Sequence, residues 1–243
     1  MIPLYSKSTK AKKQSGIGTE IAKNLITSGW KVACVGRRKE AGEALEAQLG
    51  PNARFFAADI AQYASQAAVF QQVHRLWGQI DVFIANAGIV DQSSLYLYGW
   101  QQQQQQQQQV DELPPEPDLS CTDTDYKGVI YGVQLARHFM RYNQPQPGGR
   151  IVVTSSVGGV LPHPTYPEYC GAKAAVNQFV RGMAPSLRQR ENIYLNCVLP
   201  GIVATPIVPP EMIEAVTLEW YVLSLHPCLP VCLPACLILN RYC

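Results

Sequence analysis

A tyrosine and a lysine four positions apart are the residues of this sequence best suited to acid/base chemistry. Tyr169 and Lys173 fall on a predicted helix at positions i and i+4, so both side chains lie on one face. A phenol, with a pKa of about 10, is a poor acid or base at neutral pH unless a neighbouring cation stabilises the phenolate. Lys173 could supply that cation. The same spacing occurs where a surface tyrosine packs on a lysine stem, so the pair needs supporting context.

That context comes from two motifs at the ends of predicted strands. Ser156 ends an apolar strand 13 positions before Tyr169, and a Pro-Gly run from Leu199 to Thr205 follows the next strand. The carboxyl ends of parallel strands meet at one edge of a sheet, so these residues should line up there. The sequence therefore predicts a site at that edge.

A glycine motif at the start of a helix could hold a phosphate. The motif consists of Ser15, Gly16, Ile17 and Gly18. Glycines let the backbone approach a pyrophosphate, and the helix N-terminus favours its negative charge. Glycines at this spacing also occur in ordinary turns, so the motif alone is a weak signal.

Two arginines follow the next predicted strand, about 20 residues after the glycines, where a dinucleotide fold meets the adenosine ribose. An acidic residue there would select a free 2′-hydroxyl, whereas Arg37 and Arg38 suit a 2′-phosphate. The alternative is that both arginines only solvate a loop. The predicted cofactor is therefore NADP(H), with NAD(H) as the alternative.

Two further short motifs follow the predicted strands 54–58 and 82–85. Asp59 could accept a hydrogen bond from an adenine amino group while Ile60 packs on the ring, although Asp59 could equally be a helix N-cap. Asn86, Ala87 and Gly88 are small enough for the chain to pass close beneath a cofactor ribose.

Taken in order, these motifs resemble the short-chain dehydrogenase/reductase family, from about Ser15 to Pro206. The resemblance implies that Tyr169 is the catalytic acid/base and that Ser156 polarises the substrate oxygen. It also implies that Lys173 lowers the tyrosine pKa and holds the nicotinamide ribose. The substrate would be a ketone or a secondary alcohol.

The resemblance implies three further site residues. Val203 and Thr205 would contact the nicotinamide carboxamide. Asp125 stands where the family has an asparagine that completes a proton relay through a bound water, and its backbone carbonyl could hold that water. The segments 117–120 and 126–132 are similar to fungal members related to 15-hydroxyprostaglandin dehydrogenase, a subgroup that identifies no substrate here.

Alternating strand and helix patterns predict an α/β fold, a Rossmann-like doubly wound parallel sheet. The predicted strands are 30–35, 54–58, 82–85, 150–154 and 193–198, and the predicted helices are 17–27, 39–49, 63–77, 123–142 and 168–188. All lie within a single NAD(P)-binding domain, residues 1–243, recognisable over 14–210.

Both ends of the sequence depart from the family pattern. Lysine-rich residues 6–13 stand where a buried first strand is expected, and burying those charges would be costly. Prolines inside the atypical tail 217–243 exclude an ordinary helix or central strand, and its CxxxC spacing does not indicate a metal site. We therefore predict that the sheet lacks a proper first and last strand. The glutamine-rich segment 101–117 is predicted to be an exposed low-complexity loop.

Composition limits the choice of partners. The 243 residues are 47% hydrophobic with a net charge of +2, and no basic stripe or long apolar run indicates nucleic acid or membrane. Scattered cysteines without a secretory signal favour reduced thiols and a cytoplasmic location. A small-molecule carbonyl or alcohol substrate is the expected partner. The family resemblance also implies that the protein can form a homo-oligomer. Two alternatives stay open: a catalytically inactive nucleotide-binding protein, and a scaffold that uses the glutamine run.

Overall fold

The computed structural model describes residues 2–3, 16–91, 116–163, 165–203 and 237–238. Strands and helices alternate along most of this part of the chain. They are β1 Ile2–Pro3, α1 Ile17–Thr27, β2 Val32–Gly36, α2 Lys39–Leu49, β3 Ala53–Ala57, α3 Tyr63–Trp77, β4 Val82–Ala85, α4 Ser120–Thr122, a π-helical segment Asp123–Lys127, α5 Gly128–Met140, β5 Gly149–Thr154, a 3₁₀ turn Val157–Gly159, α6 Pro167–Glu191, β6 Ile193–Leu199 and β7 Leu237–Ile238.

The strands pair in parallel, as the alternation of elements predicts. Hydrogen bonds join them in the orders β1-β2-β3 and β4-β5-β6-β7, and β1 lies beside β4. Every pair is parallel except β6 with β7. The carboxyl ends of β2 to β6 therefore face one edge, which is where ligands bind in open α/β sheets.

The sheet is covered on both faces. All five residues of β2 are buried, which explains why this strand is a continuous run of small and apolar side chains. The larger core joins α3, α5 and α6 to the central strands, with Phe70, Met140 and Ile151 fully buried. A smaller core lies beneath α1 and α2 and includes Ala22 and Leu45.

Several predicted bounds need correction. The bounds of α1, α2, α3 and β4 are as predicted. The strand predicted from Trp30 begins at Val32, because Gly29 takes a positive φ of 85° and Trp30 donates its N–H to Leu25 in a helix-ending turn. The helix predicted over 123–142 begins earlier, at Ser120, and contains a π-helical segment that residue periodicity did not reveal.

Two-residue strands occupy both positions where the sequence predicts that a proper strand is lacking. β1 pairs with Cys34 and Val35, and β7 pairs with Val198 and Leu199 at the other end. Residues 6–13, the glutamine run and most of the tail lie outside the described residues. Within the described part of the chain, no helix is long and apolar enough to cross a membrane. Four described cysteines, Cys34, Cys121, Cys170 and Cys197, are buried free thiols.

Candidate active site

The predicted site residues lie at the carboxyl edge of the sheet. Ser155 and Ser156 directly follow β5, and residues 86–88 directly follow β4. The Thr154 hydroxyl donates a hydrogen bond of 3.1 Å to Asn86 Oδ1, so the ends of these neighbouring strands are joined. The helix α6 that carries Tyr169 and Lys173 passes the same edge.

Tyr169 is a largely buried phenol whose environment opposes ionisation. Burial raises its pKa above the ordinary value, while the charge of Lys173 and a hydrogen bond with Ser156 act in the opposite direction. The Ser156 hydroxyl also accepts a 3.0 Å hydrogen bond from Gly158 N–H, which fixes its direction. Tyr169 and Ser156 are thus brought together as the sequence predicts.

Lys173 is a buried cation between the tyrosine and a carboxylate. Its Nζ donates to the Thr154 carbonyl at 3.0 Å, lies 3.1 Å from Asp125 Oδ2 and lies 5.5 Å from the Tyr169 ring centroid. Burial opposes its charge, yet Asp125 and Tyr169 outweigh that effect and raise the pKa of Lys173. The lysine is therefore held as an ammonium.

Asp125 is fully buried in the π-helical segment and contacts the 86–88 motif. Its Oδ1 accepts a 2.8 Å hydrogen bond from Ile89 N–H. Burial raises the pKa of its carboxyl, while the Lys173 ammonium and the Ile89 hydrogen bond act in the opposite direction and stabilise the carboxylate. The contact of Oδ2 with Lys173 is an ion pair without hydrogen-bond geometry. A Cβ at Gly88 would lie 2.8 Å from Oδ2, so this position requires glycine for packing.

The glycine motif opens α1 in a form suited to a phosphate. Gly16 is the N-cap and provides no side-chain hydrogen bond to the first turn, and a Cβ there would meet no atom of a described residue within 4 Å. Ile17 and Gly18 form the first turn, where N–H groups carry the positive end of the helix dipole. Ser15 lies outside the described residues.

The predicted adenosine-side residues also meet at this edge. Arg37 NH1 lies 4.0 Å from Asp59 Oδ2, and both side chains are partly exposed. Arg38 is the N-cap of α2. The N-cap of α3 is Gln62, not Asp59. Asp59 Oδ1 instead accepts a hydrogen bond from Ala61 N–H in a local turn before the helix. Ile60 is half-buried beside Gly128.

The nicotinamide-side prediction is only partly described. Val203 is exposed at 41% beyond β6, consistent with a position at the edge of the site. Thr205 lies outside the described residues.

Sequence reasoning missed a ring of contacts that supports Tyr169. Asp91 accepts the N–H groups of Tyr169 at 2.7 Å and Glu168 at 3.1 Å, so it caps α6 from a distant part of the chain. Glu168 Oε1 accepts Thr122 N–H at 2.7 Å, and the Cys121 thiol donates to the Ile89 carbonyl. The sequence holds only a weak signal for this contact. The N-cap residue of α6, Tyr166, makes no capping hydrogen bond with its side chain, so the first turn needs an acceptor from elsewhere in the chain.

Asp91, Cys121 and Glu168 lie close enough together to resemble a metal-ligand group, within 4.8 Å. Their hydrogen bonds explain this proximity. Both carboxylates accept backbone N–H groups, and burial raises the pKa of the Cys121 thiol. We therefore interpret the cluster as structural.

Replacement of Asp91 by alanine is expected to destabilise the protein by about 1–2 kcal/mol, the usual cost of losing an N-cap. It leaves the N–H groups of Glu168 and Tyr169 without their acceptor. Urea unfolding measures the change. Asp91→Asn retains one of the two acceptor oxygens and should recover part of the lost stability, whereas an alanine variant that unfolds like the wild type would contradict the capping role.

Ser155 and Asn177 form a second support that the sequence did not reveal. The buried Ser155 hydroxyl donates to Asn177 Oδ1 at 2.7 Å, and the Asn177 amide donates to Gly159 at 3.3 Å. A Cβ at Gly159 would lie 2.7 Å from the Lys173 backbone. The 3₁₀ turn after Ser156 is thus held tightly against α6.

Comparison with known proteins identifies similar sequences over most of this chain. A family model described as short chain dehydrogenase matches residues 13–213. A short-chain dehydrogenase/reductase of Penicillium rubens is 64% identical over 212 residues, which cover 87% of this chain and 69% of that protein. The 15-hydroxyprostaglandin dehydrogenase [NAD(+)] of Mus musculus is 29% identical, over 82% of this chain and 67% of that protein.

Solved structures show the same fold. A short-chain type dehydrogenase/reductase from Mycobacterium marinum has a TM-score of 0.68 at 27% identity, covering 84% of this chain and 75% of the other. A 3-ketoacyl-(acyl-carrier-protein) reductase from Brucella melitensis, complexed with NADH, has a TM-score of 0.67 at 24% identity, covering 80% and 74%.

Proposed function

The chain belongs to the short-chain dehydrogenase/reductase family of oxidoreductases, and on that basis we propose that it interconverts a ketone and a secondary alcohol with NADP(H). The observation that carries this proposal is the contact of Tyr169 with Ser156 and Lys173 at the carboxyl edge of the sheet. Tyr169 is the proposed acid/base, Ser156 polarises the substrate oxygen, and Lys173 supplies positive charge.

The residues present fit a nicotinamide dinucleotide. The N-cap at Gly16 has no side chain and, among the described residues, no atom that a Cβ there would meet, which supports a pyrophosphate at the start of α1. Gly88 gives close packing where the chain would pass beneath a ribose, as the Asn86, Ala87 and Gly88 motif predicts. The bound cofactor supplies the hydride chemistry, which no side chain of this protein can perform.

The proton chemistry belongs to the side chains. In reduction, the Tyr169 hydroxyl gives its proton to the carbonyl oxygen, while Ser156 donates a hydrogen bond to the same oxygen. Lys173 stabilises the phenolate that forms. The apolar side chains of Val160 and Leu161 are 61% and 66% exposed just beyond Ser156, which supports a substrate with apolar groups around its carbonyl.

Purified protein supplied with NADPH or NADH and a panel of ketones tests the proposal. We expect saturable cofactor binding, followed by ketone-dependent loss of nicotinamide fluorescence. Binding without turnover across the panel and the matching secondary alcohols would instead support the inactive nucleotide-binding alternative, which is favoured by the lysine-rich residues 6–13 where the family has a buried first strand. Absence of binding by folded protein would contradict both.

The preference for NADP(H) rests on the two arginines after β2. Replacing Arg37 and Arg38 together by alanine is expected to weaken NADPH binding by about 10- to 100-fold, since hydrogen bonds to charged groups contribute about 1.5–3 kcal/mol. NADH affinity should change by less than about threefold, because it has no 2′-phosphate. Fluorescence titration measures both. The Arg190→Ala variant, at an exposed position in the last turn of α6, controls for loss of charge.

An equal loss of affinity for both cofactors would contradict the 2′-phosphate role. The Arg37 contact with Asp59 would then be the better explanation of that side chain. Asp59 and Ile60 remain the proposed contacts to the adenine, and Val203 and Thr205 the proposed contacts to the carboxamide.

We also propose that residues 14–210 form one nucleotide-binding domain that works in the cytoplasm. Four buried free thiols among the described residues support a reducing compartment. Light scattering would test the homo-oligomer that the family resemblance implies.

A further inference from the structure

The buried carboxylate of Asp125 is the unusual feature of this site. The side chain has no exposed surface, and its Oδ2 lies 3.1 Å from Lys173 Nζ. The sequence resemblance implies an uncharged asparagine at this position. A carboxylate introduces a negative charge without changing the shape of the side chain.

Lys173 therefore lies between two acidic groups, the Asp125 carboxylate and the Tyr169 phenol. Its Nζ lies against Asp125 and the Thr154 carbonyl, but 5.5 Å from the Tyr169 ring centroid. A phenolate at Tyr169 would experience both the ammonium and the nearby carboxylate. Because these charges are opposite and adjacent, the carboxylate partly offsets the field of the ammonium at a third group several ångströms away.

Other groups around the phenol do not restore the positive field. The charged or titratable side chains that act on Tyr169 or pack beside it are Lys173, Asp125, the Cys121 thiol, Asp91 and Glu168. Of these, Lys173 is the cation, and the others are acids. Burial raises the pKa of Tyr169, and Asp125 and Cys121 add to that direction.

We propose that Asp125 offsets the charge of Lys173 and keeps Tyr169 protonated at and above neutral pH, which adapts the site to carbonyl reduction. This inference rests on the proposed function and deepens it, because it assigns a preferred direction and a tuning residue. Asp125 acts through Lys173 and Tyr169 and need not touch the substrate.

The direction follows from the proton balance. Reduction would add a hydride, one proton with two electrons supplied by the reduced nicotinamide, to the carbonyl carbon, and one proton from Tyr169 Oη to the carbonyl oxygen. Tyr169 must therefore begin as a neutral phenol and recover a proton from solvent afterwards. Alcohol oxidation requires the phenolate as base. A raised tyrosine pKa extends reduction to higher pH and confines oxidation to alkaline pH.

Asp125→Asn tests the inference, because it removes the charge and retains an acceptor for Ile89 N–H. Tyr169 is titrated directly in protein without substrate, using labelled tyrosine and NMR, with Tyr169→Phe identifying its signal. We expect the Tyr169 pKa to fall by about one unit or more in the asparagine variant. Oxidation at neutral pH should rise about tenfold or more, with its pH profile displaced downward by the same amount.

The matched control is Asp123→Asn in the same π-helical segment. Asp123 is 47% exposed and pairs with Lys127, so its charge should not alter the Tyr169 titration. An unchanged or higher Tyr169 pKa in Asp125→Asn overturns the inference, as does an equal fall in the control. If Asp125→Asn does not fold, Asp125→Thr is neutral and smaller and carries the same expectation.

The direct titration also separates this inference from the proposed function. A protein that turns over no substrate would refute the function, yet its Tyr169 signal would still report the effect of Asp125. Conversely, if the enzyme is active but Tyr169 has the same pKa in the wild type and in Asp125→Asn, the proposed function stands and the inference about Asp125 is wrong.

Discussion

Replacement of Tyr169 by phenylalanine is expected to lower kcat/KM by about 10²- to 10⁴-fold, the usual contribution of a positioned acid/base. The variant removes the hydroxyl and keeps the ring, which lies against the Lys173 ammonium. Cofactor affinity should change little, since the pyrophosphate and adenosine contacts proposed for this chain lie elsewhere. Steady-state kinetics and a fluorescence titration on the same preparation measure both quantities.

Tyr166→Phe provides the matched control for that result. Tyr166 stands one turn before Tyr169, as the N-cap of α6, and its ring packs against His163. It should retain at least about half of the wild-type activity, because it has no role in the proposed proton transfer. A Tyr169→Phe enzyme with wild-type kcat would assign the acid/base role to another group.

Replacement of Asn143 by alanine should cause the largest loss of stability, about 3–5 kcal/mol. The buried amide donates to the Ile80 carbonyl at 2.9 Å and to the Gly148 carbonyl at 2.8 Å, and its oxygen accepts Ile80 N–H at 3.2 Å. Alanine leaves three backbone groups without partners, and each costs about 1–3 kcal/mol when buried. Urea unfolding at constant pH measures the change.

Asn24→Ala is the control for the loss of an asparagine. Asn24 is exposed on the outer face of α1, and its side chain donates one hydrogen bond, to the Glu20 carbonyl. Its free energy of unfolding should stay within about 0.5 kcal/mol of the wild type. If Asn143→Ala and Asn24→Ala have similar free energies of unfolding, water must reach the backbone groups around Asn143, and the predicted loss of stability is wrong.

The elements that position the site are predictable because their patterns are local. Helix α1 and strand β4 have the bounds expected from periodicity and the residues that follow them. Tyr169 and Lys173 share a face because helical geometry requires it. The family motifs then bring Ser156 to the same edge. All of these features depend on spacing, which a sequence displays directly.

The parts that escaped prediction depend on contacts between distant residues. Asp91 caps a helix that begins about 77 positions later, and nothing near either residue indicates the partner. Asn143 reaches back to Ile80, 63 positions away. The π-helical segment around Asp125 has helical composition, so only its tertiary contacts distinguish it. Long-range hydrogen bonds of this kind leave no periodic signal.

The ring of contacts that supports Tyr169 also bears on how the gene can change. Its members are Ile89, Asp91, Cys121, Thr122, Glu168 and Tyr169. The glutamine run lies between two of its members, after Asp91 and before Cys121. Both anchors are fixed by contacts with the rest of the fold. The sequence predicts an exposed low-complexity loop between them. The entropy of closing a loop grows only logarithmically with its length, so gaining or losing a few glutamines is expected to cost little. Repeat-length variation between alleles should therefore be nearly neutral for folding and catalysis.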